Sequence, residues 1–191
     1  MMADPATRKA THDDLYRLPD NMIGEIVSGE LIATPRPSRS HALAASLLGG
    51  EIIPPYCHGR GGGPGGWVII LKPEISLGAD ILVPDLAGWK RENYPANEPH
   101  NWISVPPDWI CEILSPSTAR LDKTRKMSIY AARGVAHLWL LDPTARTLDV
   151  FHLDAGRWMV VGLFVDGDKV RTEPFSEIEI DISSLFWREE Q

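Results

Sequence analysis

Cysteine is scarce in this 191-residue chain: there are two, Cys57 and Cys111. They supply neither a disulfide framework nor the paired spacing of a zinc site. Long apolar runs are missing too. No stretch reaches the ~20 residues that cross a bilayer, and the opening MMADPATRKATHDD lacks the apolar segment of a secretory leader. The expectation is a cytoplasmic protein without a membrane partner. Excess positive charge is also lacking, since the net charge is −7, which argues against a generally basic nucleic-acid-binding surface. The deficit is uneven, however. Residues 165–191 hold eight acids against three bases, and the rest is nearly neutral at 16 bases to 18 acids. Arg120, Lys123, Arg125, Lys126 and Arg133 face only Asp122, so a local basic patch is compatible with the acidic total.

Internal repeats and long linkers are absent. With 43% apolar residues, the chain is expected to fold as one domain over 1–191, with a flexible arm at 1–12 and an acidic extension at 165–191. The glycine-dense GRGGGPGG is a loop, because glycine at that density holds neither helix nor strand. It lacks the closing Gly-Lys-Ser/Thr of a phosphate loop, which argues against nucleotide binding, and a flap beside a substrate groove is expected.

The segments that are present alternate between two periodicities. A short helix is predicted around Asp13 to Leu18. GEIVSGELIAT reads as a hairpin about Ser28-Gly29. SRSHALAASLLGGEI reads as a helix capped by Ser38 or Ser40 and ending near Gly49-Gly50. WVIILKPEISL and ILVPDLAGWK read as two strands about Gly78-Ala79-Asp80, and DWICEIL as a third. STARLDKTRKMSIYAARG is a helix with Gly134 just past its end, AHLWLLDP a strand, and TLDVFHLDAGRWMVVGLF a hairpin. The strand–helix–strand passage demands a crossover between parallel neighbours. The predicted fold class is therefore mixed α/β: a mixed sheet flanked by helices, with further hairpins at both ends. The tryptophans Trp67, Trp89, Trp109, Trp139 and Trp158 fall mainly in predicted strands, where packing is their expected role.

Two acids sit where acids are costly. Period-2 alternation groups Glu112 with Ile110 and Leu114, and Asp85 with Ile81, Val83, Ala87 and Trp89. Neighbouring strands lie about 4.8 Å apart, so two facing carboxylates can share one ion with oxygen ligands at roughly 2.1 Å. Asp122, Lys126, Tyr130 and Arg133 recur at helical spacing, which can bring Lys126 over the acids. Two carboxylates, a divalent ion and a lysine make a phosphodiester-hydrolysis site. Taken singly, Asp85 also reads as an acid ending a strand, Glu112 as the ion-pair partner of Lys126, and Lys126 as a solvated helix residue.

Together these residues carry a resemblance. Val83-Pro84-Asp85, then Glu112-Ile113-Leu114-Ser115-Pro116-Ser117-Thr118, Asp122, Lys126, Tyr130, Gly134-Val135, Trp139 and Asp142-Pro143 resemble the Uma family (Uma-two) of restriction-endonuclease-like proteins, within the PD-(D/E)XK nuclease superfamily. The likeness spans about Asp13 to Trp158. It implies a restriction-endonuclease-like core, a Mg2+ cofactor (with Mn2+ as a substitute), a DNA substrate and a homodimer. It assigns Asp85 and Glu112 to metal binding and Lys126 to catalysis, with Lys123 as the fallback lysine. Glu25 and His41 match recurrent family positions, His41 reading equally as a helix-capping or polar-core residue; Glu74, in the neighbouring predicted strand, reads either as an auxiliary acid or as a surface residue. Candidate DNA contacts are Arg39, Arg60, Arg120 and Lys123. Two departures stand out: Leu114 occupies the place where the superfamily pattern has a lysine, and His137 stands where an acid is expected. The alternative is an inactive nuclease-fold module that binds nucleic acid or a protein, and the acidic extension also fits a protein that never touches DNA.

Overall fold

A computed structural model describes residues 8–187. Residues 1–7 of the expected arm and 188–191 of the acidic extension lie outside the described residues. In chain order the elements are α1 (His12–Leu15), β1 (Met22–Val27), β2 (Glu30–Pro35), α2 (Arg39–His58), β3 (Trp67–Leu71), β4 (Ile75–Leu77), β5 (Asp80–Leu82), β6 (Leu86–Lys90) and β7 (Trp109–Ile113). There follow α3 (Ala119–Leu121), a π-helical turn (Asp122–Lys126), α4 (Met127–Ala132), β8 (His137–Asp142), β9 (Thr147–Asp154), β10 (Arg157–Val165), β11 (Lys169–Val170), β12 (Ile180–Asp181) and a final 3-10 turn (Ile182–Leu185). Among the described residues, no helix is long and apolar enough to cross a membrane.

The main sheet has six strands in the order β10-β9-β8-β7-β6-β3. Only β7 and β8 run parallel, and the α3–α4 segment makes the crossover that such a pair requires. A four-stranded sheet, β2-β1-β5-β4, packs beside it. This is the mixed α/β architecture expected from the pattern of elements.

Alternation along the central strands gives the main sheet two faces. Trp109, Cys111, Ile113, Trp139 and Leu141 pack towards α2, which presents Ala44, Ala45, Leu48, Ile52 and Tyr56. Ile110, Leu138 and Leu140 pack on the other side, against Tyr130 of α4 and residues of the smaller sheet. The C-terminal segment belongs to the first face. Phe175 sits among Tyr56, Trp67, Trp109 and Trp139, with ring centroids 4.5–5.5 Å apart. Its charges are therefore surface features of a chain stretch that also fills the core. Trp67, Trp89, Trp109 and Trp139 are buried, as expected, and Trp158 is half-buried.

Three expectations about elements need correction. The helix from Arg39 continues past Gly49-Gly50, through Pro54 and Pro55, to a left-handed Gly59 (φ +65°). Its apolar stripe runs on to Ile52 and Tyr56, and packing of that stripe outweighs the intrinsic cost of two glycines. The Gly59 amide closes the helix on the Pro55 carbonyl at 3.1 Å. The two strands about Gly78-Ala79 are instead four. Both arms break beside proline, at Lys72-Pro73 and Val83-Pro84, and the hairpin passes from the large sheet into the small one. The first helix is shorter than predicted and ends at Leu15. Ser38 is the cap of α2, accepting from the His41 amide at 3.3 Å.

Candidate active site

The bend in the hairpin matters because Asp85 lies in it. Pairing on both sides of the bend keeps one register: Leu77 opposes Asp80, Ile75 opposes Leu82, and Leu71 opposes Leu86. The same count places Lys72 opposite Asp85, and the Lys72 amide donates to the Asp85 carbonyl at 2.9 Å. On the other side, Leu86 opposes Cys111, so the next position along sets Asp85 against Glu112. Both acids thus reach the floor of one groove. Its walls are the β1–β2 hairpin, the N-terminus of α2 and the Ser115–Thr118 turn.

Asp85 is 3% exposed and has three partners. Its Oδ1 meets His41 Nε2 at 2.6 Å and the Lys72 ammonium, and its Oδ2 accepts from the Ile113 amide at 2.7 Å. Burial pushes the carboxyl up, but the His41 hydrogen bond and the charges of Lys72 and His41 prevail and hold it below its ordinary value. Asp85 is the ionised acid of the site.

Glu112, at 2% exposure, is held differently. Its Oε1 accepts from Tyr130 Oη at 2.5 Å and from Lys126 Nζ at 2.8 Å. The same Nζ lies 2.9 Å from Glu25 Oε1 and 3.5 Å from Asp122 Oδ1. One buried ammonium therefore serves three carboxylates. Burial pushes Glu112 up to about 8; Lys126 opposes this, and Asp122, Asp85 and Glu25 add to it. Burial likewise raises Asp122 against the pull of Lys126. Lys126 stays protonated: burial disfavours its charge, but Glu112 and Glu25 more than compensate.

Local backbone geometry explains how one helix contributes three of these groups. The Asp122–Lys126 stretch is a π turn, closed by the Met127 amide on the Asp122 carbonyl. Its larger number of residues per turn brings Asp122 and Lys126 nearly in line, Tyr130 follows one turn on in α4, and such turns recur at functional sites. The Thr118 amide bonds to Ser115 Oγ at 3.3 Å and forms the SPST turn that starts the segment.

The groove thus gathers Asp85, Glu112, Lys126, Glu25 and His41, five of the residues singled out in the sequence. Glu25 is further fixed by the Val83 amide, which donates to its Oε1 at 2.8 Å. Lys126 touches Glu112 and not Asp85; Asp85 has its own lysine, Lys72, which sequence reasoning missed. The signal was available, because counting outward from the predicted Gly78-Ala79 turn leads to the Lys72–Asp85 pair. Asp122 and Tyr130 were placed on the right helix face without a role.

Other expected residues lie elsewhere. Glu74 sits 3.5 Å from His12 Nε2, outside the groove. It lies in the bend itself, between β3 and β4, and not in a strand. Lys123 points outward near Asp149 on β9. Arg39 and Arg120 are exposed and do not line the groove. Arg60 follows the C-terminal end of α2, whereas His41 is in its first turn; at 1.5 Å per residue they are separated by roughly 28 Å along the helix. The glycine loop sits at that same far end, with the Gly65 amide bonded to the Pro55 carbonyl, so it is no flap over this groove.

The family model Uma2, described as "Putative restriction endonuclease", matches residues 12–183. The chain belongs to the Uma2 family. Among solved structures it is similar to one described as a putative nuclease belonging to DUF820 from Anabaena variabilis ATCC 29413. The TM-score is 0.74 at 24% identity, over 92% of this chain and 97% of that one, a likeness that shows a shared fold. No curated protein matches the chain. Of the site residues named from the sequence, Glu25, His41, Asp85, Glu112 and Lys126 line the groove, whereas Glu74 and Lys123 do not.

Proposed function

We propose that this Uma2 protein is an endonuclease that hydrolyses DNA phosphodiester bonds with a divalent metal ion, Mg2+ or in its place Mn2+. The observation that carries the reading is the charge balance of the groove floor. Four buried or nearly buried carboxylates, on Glu25, Asp85, Glu112 and Asp122, face two ammonium groups, on Lys72 and Lys126. All the surplus donors are hard oxygens, the set that suits Mg2+ or Mn2+. Asp85 and Glu112, adjacent across β6 and β7, are the residues that would hold the ion. A bound divalent ion supplies acidification of water and neutralisation of charge on the phosphate.

The chain's own residues do the positioning. His41, Lys72 and the Ile113 amide fix both oxygens of Asp85. Tyr130 and Lys126 fix Oε1 of Glu112, and Glu25 anchors Lys126 from the opposite side. Lys126 is then the cation that orients a water or stabilises charge developing on phosphate oxygens. The N-terminus of the long α2 helix opens on the groove through Ser38, a favourable place for a backbone phosphate.

Plasmid nicking in the presence of Mg2+ tests the reading. Cleavage should vanish in Asp85→Ala and Glu112→Ala; unchanged cleavage in both removes the proposed site. One observation favours a second reading. Lys126 is enclosed by three acids and Leu114 replaces the superfamily's usual lysine, which suits a non-catalytic DNA-binding module. Salt-sensitive DNA binding with no metal-dependent cleavage would select it.

The remaining expectations enter as parts of this proposal. The chain acts as one domain, since Phe175, Ile180, Ile182 and Leu185 share a core with α2. It acts in the cytoplasm, and as a homodimer, because cutting both strands calls for two sites. The β10 edge exposes Met159, Val160, Leu163 and Val165, an apolar row suited to a second copy.

A further inference from the structure

A second cluster of metal-ligand type lies away from the groove. His137 opens β8, and its register partner across to β9 is His152. Both side chains lie on the α2 face of the sheet, because they alternate in step with Trp139 and Val150. The C-terminal segment crosses this edge and contributes Glu173. Ligand atoms of His137, His152 and Glu173 all lie within 4.8 Å of one another.

The contacts within the cluster are uneven. His152 Nδ1 is 3.0 Å from Glu173 Oε2, a hydrogen bond. His137 Nδ1 is 3.6 Å from the same oxygen, too far for one, and this buried nitrogen has no other hydrogen-bond partner. A buried ring nitrogen left unpaired is unfavourable and calls for a partner. Metal–ligand bonds of 2.0–2.2 Å in a tetrahedral shell place neighbouring donor atoms about 3.4 Å apart. The 3.6 Å separation fits such an edge.

We propose that His137, His152 and Glu173 form a site for a borderline transition-metal ion of the Zn2+ class, separate from the carboxylate groove. Two imidazoles with one carboxylate suit Zn2+ and not Mg2+, which takes hard oxygen donors. Backbone contacts hold the segments that carry these side chains: Trp139 Nε1 donates to the Glu173 carbonyl at 2.7 Å, and the His137 amide donates to the Asp108 carbonyl at 3.1 Å.

The two sites occupy opposite faces and opposite ends of the sheet. Trp109 pairs with His137 at one end of the parallel β7–β8 ladder, and Ile113 pairs with Leu141 at the other, roughly 13 Å along the strands. An ion here would clip the C-terminal segment to β8 and β9. Three protein ligands leave the fourth position to water.

Calorimetric titration of the full chain with ZnCl2 in excess Mg2+ tests the proposal, with visible absorption of added Co2+ reporting tetrahedral N/O coordination. The expected result is one equivalent of Zn2+ bound, with affinity at least 10-fold weaker in His152→Asn and in His137→Asn. The half-exposed His152 is the safer substitution for folding, and circular dichroism verifies that each variant is folded. The double variant Asp85→Asn/Glu112→Gln should keep wild-type Zn2+ affinity. Absence of Zn2+ binding, binding unaltered by His152→Asn in a folded protein, or binding lost in the Asp85/Glu112 variant would each overturn it.

Discussion

Replacing Glu112 by glutamine isolates the cost of holding a third carboxylate beside one lysine. Glutamine keeps the shape and the Oε1 acceptor used by Tyr130 and Lys126, and Lys126 retains Glu25 at 2.9 Å and Asp122 at 3.5 Å. In the folded, metal-free protein Glu112 titrates at about 8 against an ordinary value of 4.5. Between these values the folded state holds a proton that the unfolded chain has released. The stability this provides is full below pH 4.5 and is lost as pH rises through about 8. At about 1.4 kcal/mol per pKa unit the whole span is worth at most about 5 kcal/mol. Glutamine does not titrate, so other groups cancel in the comparison. Glu112→Gln should match wild type near pH 5 and exceed it by about 2–5 kcal/mol at pH 9. Urea unfolding at pH 5, 7 and 9 with chelator present measures this as a midpoint shift at unchanged slope. A difference that is constant with pH, or a variant that loses ground at pH 9, would refute the reasoning. The same substitution should abolish metal-dependent cleavage, so a stabilised and inactive variant is the expected pairing.

Lys126→Met leaves Glu25, Glu112 and Asp122 without their shared cation, and thermal unfolding at pH 8 should record a loss of about 3–5 kcal/mol. Lys72→Ala removes the ammonium partner of Asp85, raises its pKa and should slow metal-dependent nicking about 10-fold at pH 7, with partial recovery at higher pH. Arg60→Ala, at the far end of α2, should change neither DNA affinity nor nicking; a clear loss in fluorescence anisotropy would show that the DNA path extends to the glycine loop.

Much of the site was legible in the sequence because strand periodicity is a short-range rule. Alternation alone put Glu112 on the face of Ile110, and the crossover requirement put the following helix over that face. Helical spacing then named Asp122, Lys126 and Tyr130 together. Longer-range facts were less accessible. Asp85 and Lys72 meet only because one hairpin keeps its register through a bend that proline imposes on both arms. Glu74 was misplaced by that same bend, since continuous strands would have kept it in the large sheet. Helix length was underestimated at Gly49-Gly50 because local propensity is weak against the burial of Leu48, Ile52 and Tyr56. The role of the acidic C-terminal stretch was hidden by its charge count, although Phe175 and Ile180 carry its packing. The His137–His152 pairing depends on the β8–β9 register, and Glu173 joins it only through tertiary structure.

The proposed nuclease activity rests on Asp85 and Glu112 binding one divalent ion together. Titration of the metal-free protein with Mn2+, read by calorimetry alongside plasmid nicking, tests it most directly. Binding and nicking should appear together, strengthen as pH rises towards and past 8, and disappear in both Asp85→Ala and Glu112→Ala. Mn2+-dependent nicking that persists in the two variants would contradict it.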